Sequence, residues 1–303
     1  MHALLRLEER VRSDAPHWNV HIVETTLDLD LQEEVTRDRL ELPPGVGVRG
    51  CLERRRHRRR YPDERGPRLV STTGSTDYFD EVQSGAIDYA SIPRSSGSTL
   101  KPFLYGLALD KGVITPASVL DDLPRGSAAI TNADKSYLGP MLPRSALSNS
   151  RNIPAVDVLE KVGIEEAFDL LGASELHDGR KGARHYGLGL AIGALPVTLE
   201  HLVSAYTVLA GDGRYRELVW VRGQPRREPR QVLSEDAVRQ VTLFLSDPMA
   251  RLPTFPRMGF NEYPFPAAVK TGTSSNYRDA WTVAYSSKFL VGVWVGRADY
   301  RPP

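Results

Sequence analysis

Gly97-Ser98-Thr99-Leu100-Lys101-Pro102-Phe103 sets a serine and a lysine three residues apart at the head of an apolar run that closes at Asp110-Lys111-Gly112. Leu100, Phe103, Leu104, Leu107 and Ala108 recur at helical spacing and Gly112 marks a stop, so the spacing predicts a helix from about Ser98 to Asp110. On that helix Lys101 stands one turn above Ser98 on the same face, bringing its amine within reach of Ser98 Oγ. A serine hydroxyl is a weak nucleophile at neutral pH and needs a base. A lysine serves as one only when burial or neighbouring cations lower its pKa. A helix N-terminus disfavours the ammonium and offers free N–H groups to an oxyanion. Taken alone, S-x-x-K is weak, and an N-cap serine followed by a surface lysine accounts for it more simply.

Two further stretches carry the same chemistry. Lys270-Thr271-Gly272-Thr273 falls in a strand-like run, where alternation puts Lys270 and Gly272 on one face and Thr271 and Thr273 on the other. Its glycine allows close approach, and a free strand edge there would take up an extended peptide, with Lys270 and Thr273 near its carboxylate. Ser150-Arg151-Asn152 places a hydroxyl and an amide two residues apart before Pro154, able to reach a lysine amine and a substrate amide. The plain alternatives are a turn-flanked strand and a helix cap. The order S-x-x-K, S-x-N, K-T-G is, however, a known set in acylating serine enzymes. The chain has only seven lysines against 32 arginines, and two of the seven fall in these motifs.

The remaining composition is ordinary. The chain has 303 residues, with 41% hydrophobic, 8% aromatic and 25% charged, which excludes wholesale disorder. A net charge of +1 argues against a polyanion binder, and the single cysteine, Cys51, excludes a disulfide framework or a cysteine zinc cluster. No apolar run reaches a membrane span, and Met1 to Arg6 lacks a signal-peptide core. Residues 1–43 read as a short helix (Leu4 to Val11), a strand-like run (Val20 to Leu27) and a helix from Asp30 to about Leu40. Residues 44–68 are an atypical stretch centred on Arg54-Arg55-Arg56-His57-Arg58-Arg59-Arg60, read as a solvated loop or a frame error in preference to a nucleic-acid patch. From 69 to 303 the pattern is globular. Helices are expected at 145–149, 154–162, 164–171, 198–210 and 234–246, with strands at Ala268–Thr273, Ala280–Tyr285 and Phe289–Val295. Ser286-Ser287-Lys288 forms a tight hairpin between the last two. The fold class is α/β, more closely α+β, with a partly antiparallel sheet.

The chain resembles the transpeptidase domain of bifunctional, class A penicillin-binding proteins. The three motifs with their flanks carry the resemblance: Pro102-Phe103, Ile153-Pro154-Ala155-Val156, Ser274, Arg278-Asp279-Ala280-Trp281 and Val291-Gly292-Val293-Trp294-Val295-Gly296. Thr25-Thr26-Leu27-Asp28 looks like the linker into that domain, and Asp247-Pro248 leans toward the penicillin-binding protein 1C type. The resemblance implies a β-lactamase/transpeptidase-like fold, a mainly antiparallel sheet flanked by helices plus an all-helical subdomain. It further implies a DD-transpeptidase that forms an acyl-enzyme on peptidoglycan stem peptides and is acylated by β-lactams. Ser98 would be the nucleophile, Lys101 the base, Ser150 a proton relay, and Asn152 a holder of Lys101 and of the substrate amide. Lys270 with Thr271, Gly272 and Thr273 would line the substrate site, Lys270 and Thr273 receiving the terminal carboxylate. The backbone N–H groups of Ser98 and Thr273 would form the oxyanion hole. No metal or cofactor and no nucleic acid is implied. The location implied is the periplasm or the outer face of the cytoplasmic membrane, with a glycosyltransferase domain upstream.

The chain departs from the pattern in three ways. The Arg-rich stretch stands where the family has a β-hairpin, the upstream domain and anchor are absent, and the chain stops at Arg301-Pro302-Pro303 before a closing helix. It therefore reads as a fragment, truncated at its C-terminus, whose first sheet strands are in question. The alternatives on the same fold are a DD-carboxypeptidase or a β-lactamase, the latter needing a glutamate such as Glu160 or Glu165 to activate water. A non-catalytic penicillin-binding module is the alternative of a different class.

Overall fold

The computed structural model describes residues 1–13, 25–37, 46–53, 67–75, 77–81, 84–125, 130–224, 226–256 and 262–301. In chain order the elements begin with α1 (His2–Ser13), α2 (Leu29–Arg37), β1 (Val46–Glu53), β2 (Arg68–Thr73) and β3 (Arg94–Ser95). Next come α3 (Lys101–Asp110), β4 (Leu120–Asp122), β5 (Gly139–Met141), α4 (Pro143–Ser148), α5 (Asn152–Val162), α6 (Ile164–Ala173) and α7 (Ala183–Tyr186). The chain continues through β6 (Pro196–Val197), α8 (Leu199–Ala205), α9 (Thr207–Ala210), β7 (Arg214–Tyr215), β8 (Arg230–Gln231) and α10 (Glu235–Ser246). It closes with β9 (Ala268–Thr273), β10 (Asp279–Tyr285) and β11 (Phe289–Gly296).

One antiparallel sheet of order β2-β1-β11-β10-β9 forms the frame, and β9 is an edge strand. The three C-terminal strands appear where their alternation predicts. In β10 the buried Asp279, Trp281, Val283 and Tyr285 alternate with half-buried Ala280, Thr282 and Ala284, the period of a pleated strand. The connection before β11 is closed by Ser286 N donating to Phe289 O at 2.8 Å. The strand pair put in question by the Arg-rich composition is present, which corrects that expectation. β1 pairs with β11 from Val46↔Gly296 to Glu53↔Phe289, and with β2 from Arg49↔Thr73 to Glu53↔Arg68. Val46 and Val48 favour extended backbone, and β11 offers a full row of hydrogen-bonding groups to pair with. The block Arg54–Arg60 lies outside the described residues, as does most of the strand-like run from Val20. Of that run, Thr25 bridges Val221, and Thr26 Oγ1 donates to Leu69 O and Val219 O, each at 2.8 Å.

Helices α3, α4, α5, α6 and α10 pack on one another as the helical part. α3 is apolar all round, and every residue from Lys101 to Ala108 is buried, as expected of a helix at the centre of a domain. α10 starts where Ser234 Oγ accepts from Ala237 N, and Glu235 and Asp236 in its first turn suit the helix dipole. The helix expected over 198–210 is two, α8 and α9, parted at Tyr206, whose hydroxyl donates to Thr99 O at 2.6 Å in the turn that carries Ser98. Among the described residues no helix is long and apolar enough to cross a membrane.

Candidate active site

The site forms where the N-terminal end of α3, the turn between α4 and α5, and the edge strand β9 converge. Gly97–Leu100 is a 3-10 turn leading directly into α3, so Ser98 sits on a tight turn ahead of the α-helix and Lys101 begins the helix itself. Gly97 has φ +54°, and a Cβ on it would lie 2.7 Å from both Thr273 N and Thr273 O. A Cβ on Gly272 would lie 2.7 Å from Thr99 Cγ2 and 3.2 Å from Ser98 N. Both glycines are therefore demanded by one close approach, which sets β9 directly against the Ser98 turn.

Lys101 is fully buried, and its Nζ donates to Ser150 O at 2.6 Å, Asn152 Oδ1 at 2.7 Å and Arg151 O at 3.1 Å. Three acceptors from consecutive residues thus surround the Lys101 amine. Burial, then the cations Lys270 and Arg151, hold the Lys101 amine well below the usual lysine range, with Asp122 opposing them. The sequence puts the amine within reach of Ser98 Oγ; in the structure its hydrogen bonds go to residues 150–152. Ser98 is half-exposed, and among the described residues its hydroxyl has no hydrogen-bond partner.

Ser150 has φ +58°, a left-handed conformation uncommon outside glycine. Its hydroxyl accepts from Lys270 Nζ at 2.8 Å, so Ser150 lies between the two lysines: its carbonyl faces Lys101 and its side chain faces Lys270. Lys270 also donates to Thr271 O at 2.8 Å, and burial lowers it to about 7. Lys270 and Gly272 are buried on one face of β9, Thr271 is half-buried on the other, and Thr273 is exposed at the strand end. Asn152 holds Lys101 through Oδ1 while its Nδ2 donates to Thr131 O at 2.7 Å. The structure thus brings Lys101, Ser150, Asn152 and Lys270 into one hydrogen-bonded cluster beside Ser98.

Several residues that hold this cluster have no signature in the motifs. Arg151, between the serine and the asparagine, donates through Nε to the fully buried Asp122 at 2.7 Å and reaches Asp134 at 2.8 Å. Asn132 Nδ2 donates to the other Asp122 oxygen at 2.6 Å, and Asn132 Oδ1 accepts from Asn152 N at 2.8 Å. Asp122 and Asn132 therefore fasten both ends of the turn whose carbonyls face Lys101. Asn149 Nδ2 donates to Ala250 O and Leu252 O, each at 2.8 Å, fixing the segment after α10 beside Ser150. The acids considered for water activation are engaged elsewhere. Glu160 pairs with Arg125 at 2.8 Å and Glu165 with Arg184 at 3.7 Å, and both are exposed. Among the described residues no group of three or more histidine, cysteine, aspartate or glutamate side chains is placed to hold a metal.

Residues 69–300 match the family model described as the penicillin binding protein transpeptidase domain. Penicillin-binding protein 1C of Escherichia coli is 35% identical over 288 residues, covering 92% of this chain and 35% of that protein. Penicillin-binding protein 1A of Aquifex aeolicus is 32% identical over 222 residues, covering 67% of this chain and 29% of that protein. The chain thus spans about a third of the length of these curated relatives. The structure of the Mycobacterium tuberculosis protein PonA1 in complex with penicillin V aligns with a TM-score of 0.72 at 20% identity, covering 93% of this chain and 78% of that one. That likeness gives the fold as the β-lactamase/transpeptidase type. The family match covers residues 69–300, and this chain belongs to the penicillin-binding protein transpeptidase domain family.

Proposed function

We propose that this chain is a serine-type DD-transpeptidase domain that crosslinks peptidoglycan stem peptides. The observation that carries the reading is the pair of buried lysines held on either side of Ser150, next to a half-exposed serine with no hydrogen-bond partner among the described residues. Ser98 Oγ attacks the penultimate D-Ala carbonyl, and its proton passes to the neutral amine of Lys101. The N–H groups of Ser98 and Thr273, brought together by Gly97 and Gly272, face the developing oxyanion, where each donor is worth roughly 2.7–4 kcal/mol. The peptide C–N bond breaks, the terminal D-Ala leaves as an amine protonated by way of Ser150, and an ester remains on Ser98. A second stem-peptide amine then attacks the ester, forming the new amide and restoring the serine hydroxyl.

The free edge of β9 suits an extended peptide, with Lys270 and Thr273 at the end that takes its carboxylate. β-Lactams carry a carboxylate and an acylating carbonyl in the same relation, so they acylate Ser98 and stop there. Hydrolysis as the main outcome, by carboxypeptidase or β-lactamase action, finds no support in Glu160 or Glu165, both exposed and ion-paired. The reaction belongs on the outer side of the cytoplasmic membrane, where stem peptides are found, in a longer protein that carries a glycosyltransferase domain upstream. The test is incubation with a peptide ending in D-Ala-D-Ala and a D-amino acid as acceptor, followed by mass spectrometry. Exchange of the terminal residue with release of one D-Ala supports transfer. Release of D-Ala without exchange makes the domain a carboxypeptidase.

A further inference from the structure

Asp279 is 4% exposed, and among the described residues its carboxylate meets neutral donors and no cation. One oxygen accepts from Ser274 Oγ at 2.8 Å and the other from Trp294 Nε1 at 3.0 Å. A buried anion without a counter-charge is costly, so its retention calls for a reason. Its place in the fold supplies one. Ser274 directly follows Thr273, and Ser274 and Asp279 close the β9–β10 connection from both sides. Asp279 N donates to Ser274 Oγ at 2.9 Å and Ser274 N donates to Asp279 O at 2.9 Å. The loop between them puts Asn276 and Tyr277 at positive φ, 62° and 56°, a backbone held in register by the three bonds between Ser274 and Asp279.

The other end of the connection reaches the nucleophile. Trp294 is 1% exposed, and the Arg94 guanidinium carbon lies 5.1 Å from the centroid of its ring. A cation over the indole face draws density from the ring and strengthens the N–H that Asp279 accepts. Arg94 lies on β3, four residues before Ser98, and the neighbouring Ser95 accepts from Trp281 Nε1 at 2.8 Å. Arg94, Trp294, Asp279 and Ser274 therefore form a continuous series from the strand that delivers Ser98 to the residue beside Thr273.

We propose that Asp279 is a positioning residue for carboxylate recognition: through Ser274 it fixes Thr273 at the end of β9, and through Trp294 and Arg94 it ties that end to the Ser98 turn. The inference rests on the proposed function, since it assigns the receiving of the substrate carboxylate to the end of β9. A merely structural Asp279 would affect acylation by all reagents alike. A positioning Asp279 affects those that carry the carboxylate.

The experiment measures the second-order acylation rate with a penicillin and with its methyl ester, for the unaltered chain and for S274A, S274T, D279N, W294F and the S274A/D279N double variant. S274A and D279N should each slow the free acid by about ten- to a hundredfold, the worth of a hydrogen bond to a charged group, and the ester by less than about threefold. S274T, which keeps the hydroxyl, should restore the preference for the acid, and the double variant should be no worse than the weaker single. Equal losses for acid and ester, or an unchanged rate in S274A, overturn the inference. Should D279N fail to fold by circular dichroism, S274A against S274T still decides it. An unaltered chain that takes up neither reagent refutes the proposed function and this inference with it, whereas normal labelling with unchanged discrimination in the variants refutes the inference alone.

Discussion

Lys270 and Ser150, 120 residues apart in the chain, are joined by a hydrogen bond of 2.8 Å from the lysine Nζ to the serine hydroxyl. The same serine offers its carbonyl to Lys101, so one residue in a left-handed conformation connects β9, the proposed carboxylate site, with Lys101, the proposed base. Replacing Ser150 by alanine removes the hydroxyl and leaves the carbonyl. The acylation rate with penicillin should fall about a hundredfold or more, in the range of a lost proton-transfer group, while the melting temperature moves little. A loss below about threefold would show that protons leave by another route.

Titration of Lys270 makes a second prediction. Burial lowers it to about 7, so it is a cation below that pH and neutral above it. Acylation by a carboxylate-bearing β-lactam should accordingly fall as pH rises through about 7, measured as the second-order rate, which reports the free enzyme. K270R keeps its charge throughout and should lose this alkaline limb, whatever it costs in rate at pH 6. Stability should move the opposite way. The unfolded chain holds the Lys270 proton up to its ordinary pKa of 10.5, which the folded chain has released above about 7. Stability therefore rises with pH across that window, and K270M should flatten the rise in chemical denaturation.

The buried pair of Arg151 and Asp122 is the clearest structural dependence. Asp122 is fully buried and Arg151 nearly so, with 2.7 Å between them. D122A leaves a buried guanidinium without its main partner and should cost about 3–5 kcal/mol in urea unfolding. It should also slow acylation, because the carbonyls of residues 150 and 151 lose their hold on Lys101. Unchanged acylation in folded D122A would make the pair a matter of stability alone.

Gly97 is tested by alanine. Its φ of +54° disfavours a side chain, and the new Cβ would meet the backbone of Thr273 at 2.7 Å. G97A should push β9 away from the Ser98 turn and reduce the acylation rate by about tenfold or more, in keeping with the sensitivity of catalysis to small displacements. The check is stopped-flow acylation beside the thermal transition; an unaltered rate would show that the close approach is not needed.

Much of this architecture is written locally. The period-2 alternation of 279–285, the apolar run after Lys101 and the cap at Ser234 specify their elements through neighbours in sequence, and those elements appear where expected. The three motifs are likewise local, three or four residues each, and they converge. What they do not reveal is how the cluster is held. Asp122 and Asn132 stand 20 to 30 residues before Arg151 and Asn152 in stretches without periodicity, and their roles follow from contacts across the fold. Helical spacing puts Lys101 within reach of Ser98 but says nothing of the carbonyls from a distant segment that take its hydrogen bonds. Charge composition leaves the first strands in doubt because it says nothing of whether the β11 edge finds a partner.

The most direct test of the account is peptide mapping by mass spectrometry after exposure of the purified chain to a fluorescent penicillin. The account predicts one long-lived adduct on Ser98, absent in S98A and retained in T99A. An adduct on another residue, or undiminished labelling of S98A, would contradict it.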